Sequence, residues 1–119
     1  MILGLFLASD AEADIDDILE WTVERFGEPV RDGYEELINT AINELLADPE
    51  RIGTDPRPDL GPGIRVVHLR SSRDHIPHGV RKILKPRHFV VYRQVGDVLQ
   101  VVRVLHEAMD LSRHRIPPF

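Results

Sequence analysis

Apolar residues recur along this chain at two periods, and the places where one gives way to the other mark out its elements. The run Ile2 to Leu7 reads as a short strand. After it, Ala11, Ile15, Ile18, Leu19, Thr22 and Phe26 fall at helical spacing, and Gly27 followed by Pro29 ends that helix. Ser9 and Glu12 have the spacing of a capping box, with Asp10, Asp14, Asp16 and Asp17 crowding the first turns, where the helix dipole favours negative charge. A second helix begins near Pro29, and its stripe of Val30, Tyr34, Leu37, Ile38, Ala41, Ile42, Leu45 and Leu46 continues to Asp48-Pro49. Two helices joined by so short a turn form an antiparallel hairpin, whose shared stripe packs on a sheet.

Residues 49–63 hold four prolines and three glycines, too many for a regular element, and read as an ordered surface loop. A second strand follows from Ile64 to about Leu69. Ser71 to Lys85 contains Ile76-Pro77-His78-Gly79 and, with Arg70, five cations (Arg70, Arg73, Arg81, Lys82, Lys85), the pattern of an extended, mobile basic loop. The period then shortens to two. In the stretch Pro86 to Leu111, two runs rich in Val, Leu, Phe and Tyr flank Gly96-Asp97, a Gly-first connection suited to a type II′ β-hairpin. Regular alternation from that turn places Val95 opposite Val98. It puts Phe89, Val91, Val102 and Val104 on one face with Arg93, Gln100 and His106, and His88, Val90, Tyr92, Leu99, Val101, Arg103 and Leu105 on the other. Both faces are mostly apolar, so these are central strands, covered by helices on one side and at least partly by something else on the other.

The fold this predicts is α+β: an N-terminal strand, an antiparallel two-helix hairpin packed on a small, mainly antiparallel sheet of about four strands, and a short C-terminal helix or tail. A chain of 119 residues is long enough for one such domain, 1–119, and not for two. Without cysteine it has no disulfide or cysteine-bearing zinc site, and a reducing cytoplasm is the natural compartment. The N-terminal apolar run is short, lacks a basic flank and meets acidic residues at Asp10, so a strand suits it better than a signal peptide. Nothing approaches the roughly 20 apolar residues of a membrane span.

Charge changes the picture more than composition does. Residues 1–60 hold 16 Asp/Glu against 4 Lys/Arg, a balance of −12, whereas residues 61–119 hold 4 against 11, a balance of +7, and all six histidines. A net charge of −5 therefore hides a bipolar molecule, acidic on its helices and basic on its sheet, able to attract an anionic partner.

The run HFVVYR, a short turn, then VVRVLHEAMDL resembles the C-terminal half of the ParE branch of the ParE/RelE toxin family. The opening strand, SDAEADIDDILEWTVERFG, the second helix ending at Asp48-Pro49, and LGPGIR extend the resemblance over nearly the whole chain. Ser71 to Lys85 departs from it, being longer than the link expected there. The resemblance implies the toxin of a type II toxin–antitoxin pair that binds DNA gyrase and blocks its strand-passage cycle without chemistry of its own or a cofactor. It also implies a ParD-like antitoxin, whose ribbon-helix-helix N-terminus binds operator DNA and whose C-terminal segment folds onto the toxin. The two apolar sheet faces and the basic rim favour the same kind of partner, an amphipathic acidic segment that orders on binding. Partner contacts are expected from the strand cations Arg65, Arg87, Arg93 and Arg103, from His88 and Tyr92, and from the tail residues His106, Met109 and Leu111.

Two other functions fit the same fold: a RelE-like ribosome-dependent mRNA endonuclease, and a non-toxic, antitoxin-binding corepressor. A metal-free ribonuclease needs an acid, a base and cations around the phosphorane. Here that set is His106, Arg87, Arg93 and Arg65, but regular alternation leaves His88 and Arg103 on the opposite face, so no single acid–base pair forms. Aligned to those nucleases, Phe89 stands where a catalytic arginine is common. His106 reads first as a hydrogen-bonded residue closing the last strand, and Trp21 and Met109 as packing residues. His75 and His78, beside Asp74 in a Pro-Gly loop, have no fixed metal geometry.

Overall fold

The structure, a computed structural model, describes residues 2–114 and residue 116. Five strands form one sheet in the order β1-β5-β4-β3-β2. These are β1 (Gly4–Leu7), β2 (Thr54–Pro56), β3 (Arg65–His68), β4 (His88–Val95) and β5 (Val98–His106). β1 runs parallel to β5 and every other pair is antiparallel. The helices α1 (Ser9–Phe26) and α2 (Glu28–Ala47) form the expected hairpin and cover one face. Among the described residues the tail contributes one 3-10 turn, Leu111–Arg113.

The helix stripes bury as the pattern requires. Leu37, Ile38, Ala41 and Leu45 of α2 meet Ala11 and Leu19 of α1 over Val67, Val90, Tyr92, Leu99, Val101 and Val104 of the sheet. Each Val, Leu or Ile side chain among them contributes about 1.5–3 kcal/mol by leaving water. The start of α1 differs from expectation. Ala8 donates its N–H to Val101 O at 3.0 Å, which holds it in the sheet, and its extended backbone makes it the N-cap. Ser9 is already helical, so no side chain caps the helix and the Ser9–Glu12 box does not form.

Three further corrections concern the sheet. The proline-rich loop contains a fifth strand, β2, of only three residues, where Pro56 sits on the sheet's edge and needs no ladder donor. The β4–β5 hairpin is regular from Val95/Val98 to Tyr92/Val101, but Val91 then faces Arg103, leaving Val102 as a bulge. One extra residue reverses the alternation. Val104 and His106 therefore join His88 on the helix side, while Leu105 joins Phe89, Val91 and Val102 on the other.

That other face is not left open for a partner. Leu60 and Ile64 from the proline-rich loop, with Leu111 and Ile116 from the tail, close over Val66, Val91, Val102 and Leu105 as a second core. The Ile116 N–H donates to Leu60 O at 2.7 Å and fastens tail to loop. The basic loop is likewise seated against the protein. Ile76 and Ile83 pack on the main core, His75 meets Glu44 of α2 at 2.9 Å, and Arg81 lies so close to Gly33 that a Cβ there would sit 2.3 Å from its carbonyl oxygen.

Candidate functional site: a groove beneath the helix hairpin

After Leu19 the only buried residue of α1 is Thr22, and the tip of the helix hairpin overhangs the open end of β4–β5 with a groove between them. The overhang shelters a groove of about 780 Å³, walled by Ile18, Trp21, Phe26 and Val30 of the helices, by Ile83 of the basic loop and by Met109 of the tail. Trp21, Phe26 and Met109 are 50%, 60% and 47% exposed, so they form a solvent-facing apolar patch and not the packing residues that the pattern suggested for Trp21 and Met109. Trp21 stacks edge-on against Phe26, with the Arg25 guanidinium 5.0 Å above its ring, which holds the rim in shape.

Polar groups make up the floor. His88 and His106 are direct cross-strand partners with ring centroids 5.1 Å apart, a pairing that the bulge creates. Tyr34 of α2 accepts the Arg87 N–H at 3.0 Å and donates its hydroxyl to His88 Nδ1 at 2.6 Å. Burial pushes its phenol up to about 12, so it stays a donor. Burial, with His106 and His68 as neighbours, holds His88 down to about 4 and therefore neutral near pH 7. Beside them His68 accepts the Arg70 N–H at Nδ1 and donates Nε2–H to Glu107 at 2.7 Å. Its pKa is lowered chiefly by burial, against the opposing pull of Glu107. Glu107 also takes Arg87 Nη1 at 3.1 Å, and these two hydrogen bonds hold its carboxyl below the usual range. Lys85 and Arg87 give one lip of the groove positive charge, and Asp17 lies on the α1 wall.

The sequence-selected residues divide sharply. His88, His106, Arg87 and Met109 all line the groove. Tyr92 is fully buried with its hydroxyl on Pro49 O at 2.5 Å, and Leu111 lies in the second core, so neither offers a partner surface. Arg93 is 5% exposed and donates to Gln100 at 2.7 Å; Arg65 reaches Thr54 at 2.8 Å and Glu50 at 3.7 Å. Arg103 forms a two-pronged pair with Asp14 of α1 at 2.7 and 2.9 Å.

The nuclease set does not converge. His88 and Arg93 are five residues apart on β4, about 17 Å at the rise of a strand, and Arg65 pairs at the Arg93 end. The expectation that His88 and His106 lie on opposite faces is nonetheless overturned by the bulge. Among the described residues no group of three or more His, Cys, Asp or Glu is placed to hold a metal. Sequence reasoning missed Tyr34, Lys85, Phe26 and the Trp21 surface.

The family described as "ParE toxin of type II toxin-antitoxin system, parDE" matches residues 5–111. The chain is 30% identical over 109 residues to Toxin ParE1 of Mycobacterium tuberculosis (strain ATCC 25618 / H37Rv), covering 91% of this chain and 93% of that protein. To Toxin ParE1 of Caulobacter vibrioides (strain ATCC 19089 / CIP 103742 / CB 15) it is 32% identical over 108 residues, with the same coverage of 91% and 93%. Among solved structures, a chain of the chromosomal ParDE TA system from P. aeruginosa superposes with a TM-score of 0.61 at 18% identity, over 88% of this chain and 96% of that one. A chain of the E. coli DinJ-YafQ toxin-antitoxin complex gives 0.56 at 11% identity, over 91% and 96%. At these identities the two structures speak for the fold alone.

Proposed function

Because this chain belongs to the ParE toxin family of type II toxin–antitoxin systems, we propose that it is the toxin of such a pair, acting in the cytoplasm on DNA gyrase by binding and not by chemistry. A ParD-like antitoxin holds it inactive, and operator DNA is met only through that antitoxin. The observation that carries this reading is the groove: a patch of Trp21, Phe26 and Met109, half-exposed beneath the helix hairpin and lipped by Lys85 and Arg87, suits an amphipathic acidic segment that orders on binding. With the second sheet face covered by loop and tail, the antitoxin contact moves to this groove. His88, His106, Arg87 and Met109 stay in the contact set, and Tyr92, Arg93 and Leu111 leave it.

Purified gyrase tests the target. Supercoiling should be inhibited by this chain and restored by the antitoxin encoded beside it. The nuclease reading keeps one observation in its favour, the His88–His106 pair with Arg87 nearby. Its Nδ1 atoms are already committed, to Tyr34 and to the Ala108 N–H, and its other cations lie at the far end of the hairpin. Cleavage of mRNA within codons on the ribosome, with supercoiling left untouched, would establish that reading in place of the first.

A further inference from the structure

The tautomers of the two floor histidines are set by their neighbours. His88 Nδ1 accepts from Tyr34 and His106 Nδ1 accepts from the Ala108 N–H at 3.0 Å, so in the neutral ring each proton sits on Nε2. Both rings line the groove. Two imidazoles, their ring centroids 5.1 Å apart, thus lie at the bottom of an apolar cleft and carry one Nε2–H each, with the exposed Lys85 side chain and the Arg87 guanidinium at its lip. Lys85 has no carboxylate within ion-pair reach among the described residues. An apolar side chain covering this floor strips water from two donors and returns nothing; a carboxylate accepts from both.

We propose that the groove floor is a carboxylate subsite, and that the docking partner inserts an aspartate or glutamate side chain between its apolar anchors onto His88 and His106. This rests on the reading that the antitoxin binds here, and adds what its segment carries at the centre of the contact. The surroundings decide the pH behaviour. His88 faces Tyr34 from α2, Asp14 from α1, His68 from β3, and His106 and Glu107 from the end of β5; Asp17, Lys85 and Arg87 also line the groove. In the free protein this setting keeps His88 neutral. An inserted carboxylate favours the charged ring; the added proton goes to His88 Nδ1, where the Tyr34 hydroxyl rotates from donor to acceptor, so binding takes up a proton and tightens on acidification.

The test is calorimetric titration of the cognate antitoxin into this chain between pH 7.5 and 5.5, in buffers of different ionisation enthalpy. The expected result is uptake approaching about one proton per complex, with affinity rising by up to about tenfold per pH unit on acidification. His88→Gln keeps an N–H donor but not the ring that takes the proton, and should remove the uptake, whereas His106→Gln should leave it. Replacing the inserted acid of the antitoxin by its amide should remove it too. Proton release, a flat profile, or full uptake in both histidine variants overturns the subsite. Trp21→Asp keeps this separate from the underlying reading. If the antitoxin binds that variant, shown folded by circular dichroism, as tightly as the parent, the groove is not the docking site. If Trp21→Asp abolishes binding while the parent profile is flat, the groove stands and the subsite falls.

Discussion

The two ends of the β4–β5 hairpin are made of similar residues and come out differently. At the turn end every residue has its partner in register, and Arg93 and Gln100 are 5% and 8% exposed, hydrogen-bonded to each other. At the open end the bulge at Val102 brings two histidines together under an overhanging helix hairpin, with half-exposed aromatic residues around them. The turn end satisfies its polar groups internally and leaves nothing to offer. The open end leaves ring donors, cations and apolar surface in one place, and it does so because a single residue breaks the alternation.

The largest predicted effect tests what holds the bulge. Asp14 of α1 accepts from Arg103 and from the Val104 N–H at 2.9 Å, and so pins the two residues that follow Val102. Asp14→Ala leaves a largely covered guanidinium and a backbone donor without their acceptor, and should cost about 3 kcal/mol in urea unfolding. Asp14→Asn, which can still accept from Val104, should cost less. A loss well below 1 kcal/mol for the alanine variant would mean that the bulge holds itself.

The second prediction uses acid to separate the ends. His88 and His68 have folded pKa values below the ordinary 6.5, so the unfolded chain takes up their protons first as pH falls. Their contribution is fully present above about pH 6.5 and is lost on the way down to the folded value, about 4 for His88. For His88 alone the shift corresponds to roughly 3 kcal/mol lost by pH 4. Urea midpoints should therefore fall steeply between pH 6.5 and 4, and His88→Gln should flatten that fall. An unchanged slope in the variant counts against a buried neutral imidazole.

The same contrast separates what was legible in the sequence from what was not. Both helices, the hairpin turn and the turn-end register follow from periods of 3.6 and 2 and from Gly27, Pro29 and Gly96, because each is a local rule acting on adjacent residues. The bulge is not local. Nothing in VLQVVRVLH marks Val102 as the extra residue, since four of its nine residues are Val, and the contact beside the bulge comes from Asp14 of α1, 88 residues earlier in the chain than Val102. One undetected residue then misassigned the faces of Val104, Leu105 and His106, and with them the site. β2 escaped notice because three residues beside prolines carry no period, and the Ser9 cap failed because Ala8 is held by the sheet. The second core was hidden in a loop and a tail whose apolar residues are too widely spaced to signal anything alone.

A third, smaller effect is expected at Tyr34. Tyr34→Phe keeps the ring in the core and removes one oxygen, leaving the Arg87 N–H and His88 Nδ1 without their shared partner. The cost should be about 1–3 kcal/mol. His88 would also be freed to change tautomer, which nitrogen chemical shifts of its ring would report. A variant as stable as the parent, with the His88 proton still on Nε2, would show that the hydroxyl fixes neither the fold nor the floor.

The smallest effect belongs to the turn end and completes the comparison. Gly96 has φ +61°, a conformation that disfavours L side chains, yet a Cβ built there meets no atom within 4 Å. Gly96→Ala therefore carries only the backbone term, about 1 kcal/mol, with no clash added to it. Because the register from Val95/Val98 to Tyr92/Val101 lies between this turn and the bulge, the strain should stay local. Gly96→Ala should lower the melting temperature slightly while antitoxin affinity and its pH profile remain those of the parent. If the substitution shifted that profile, the turn would be coupled to the groove through β4 and β5, and the open end could no longer be treated as a site set by α1 and the bulge alone.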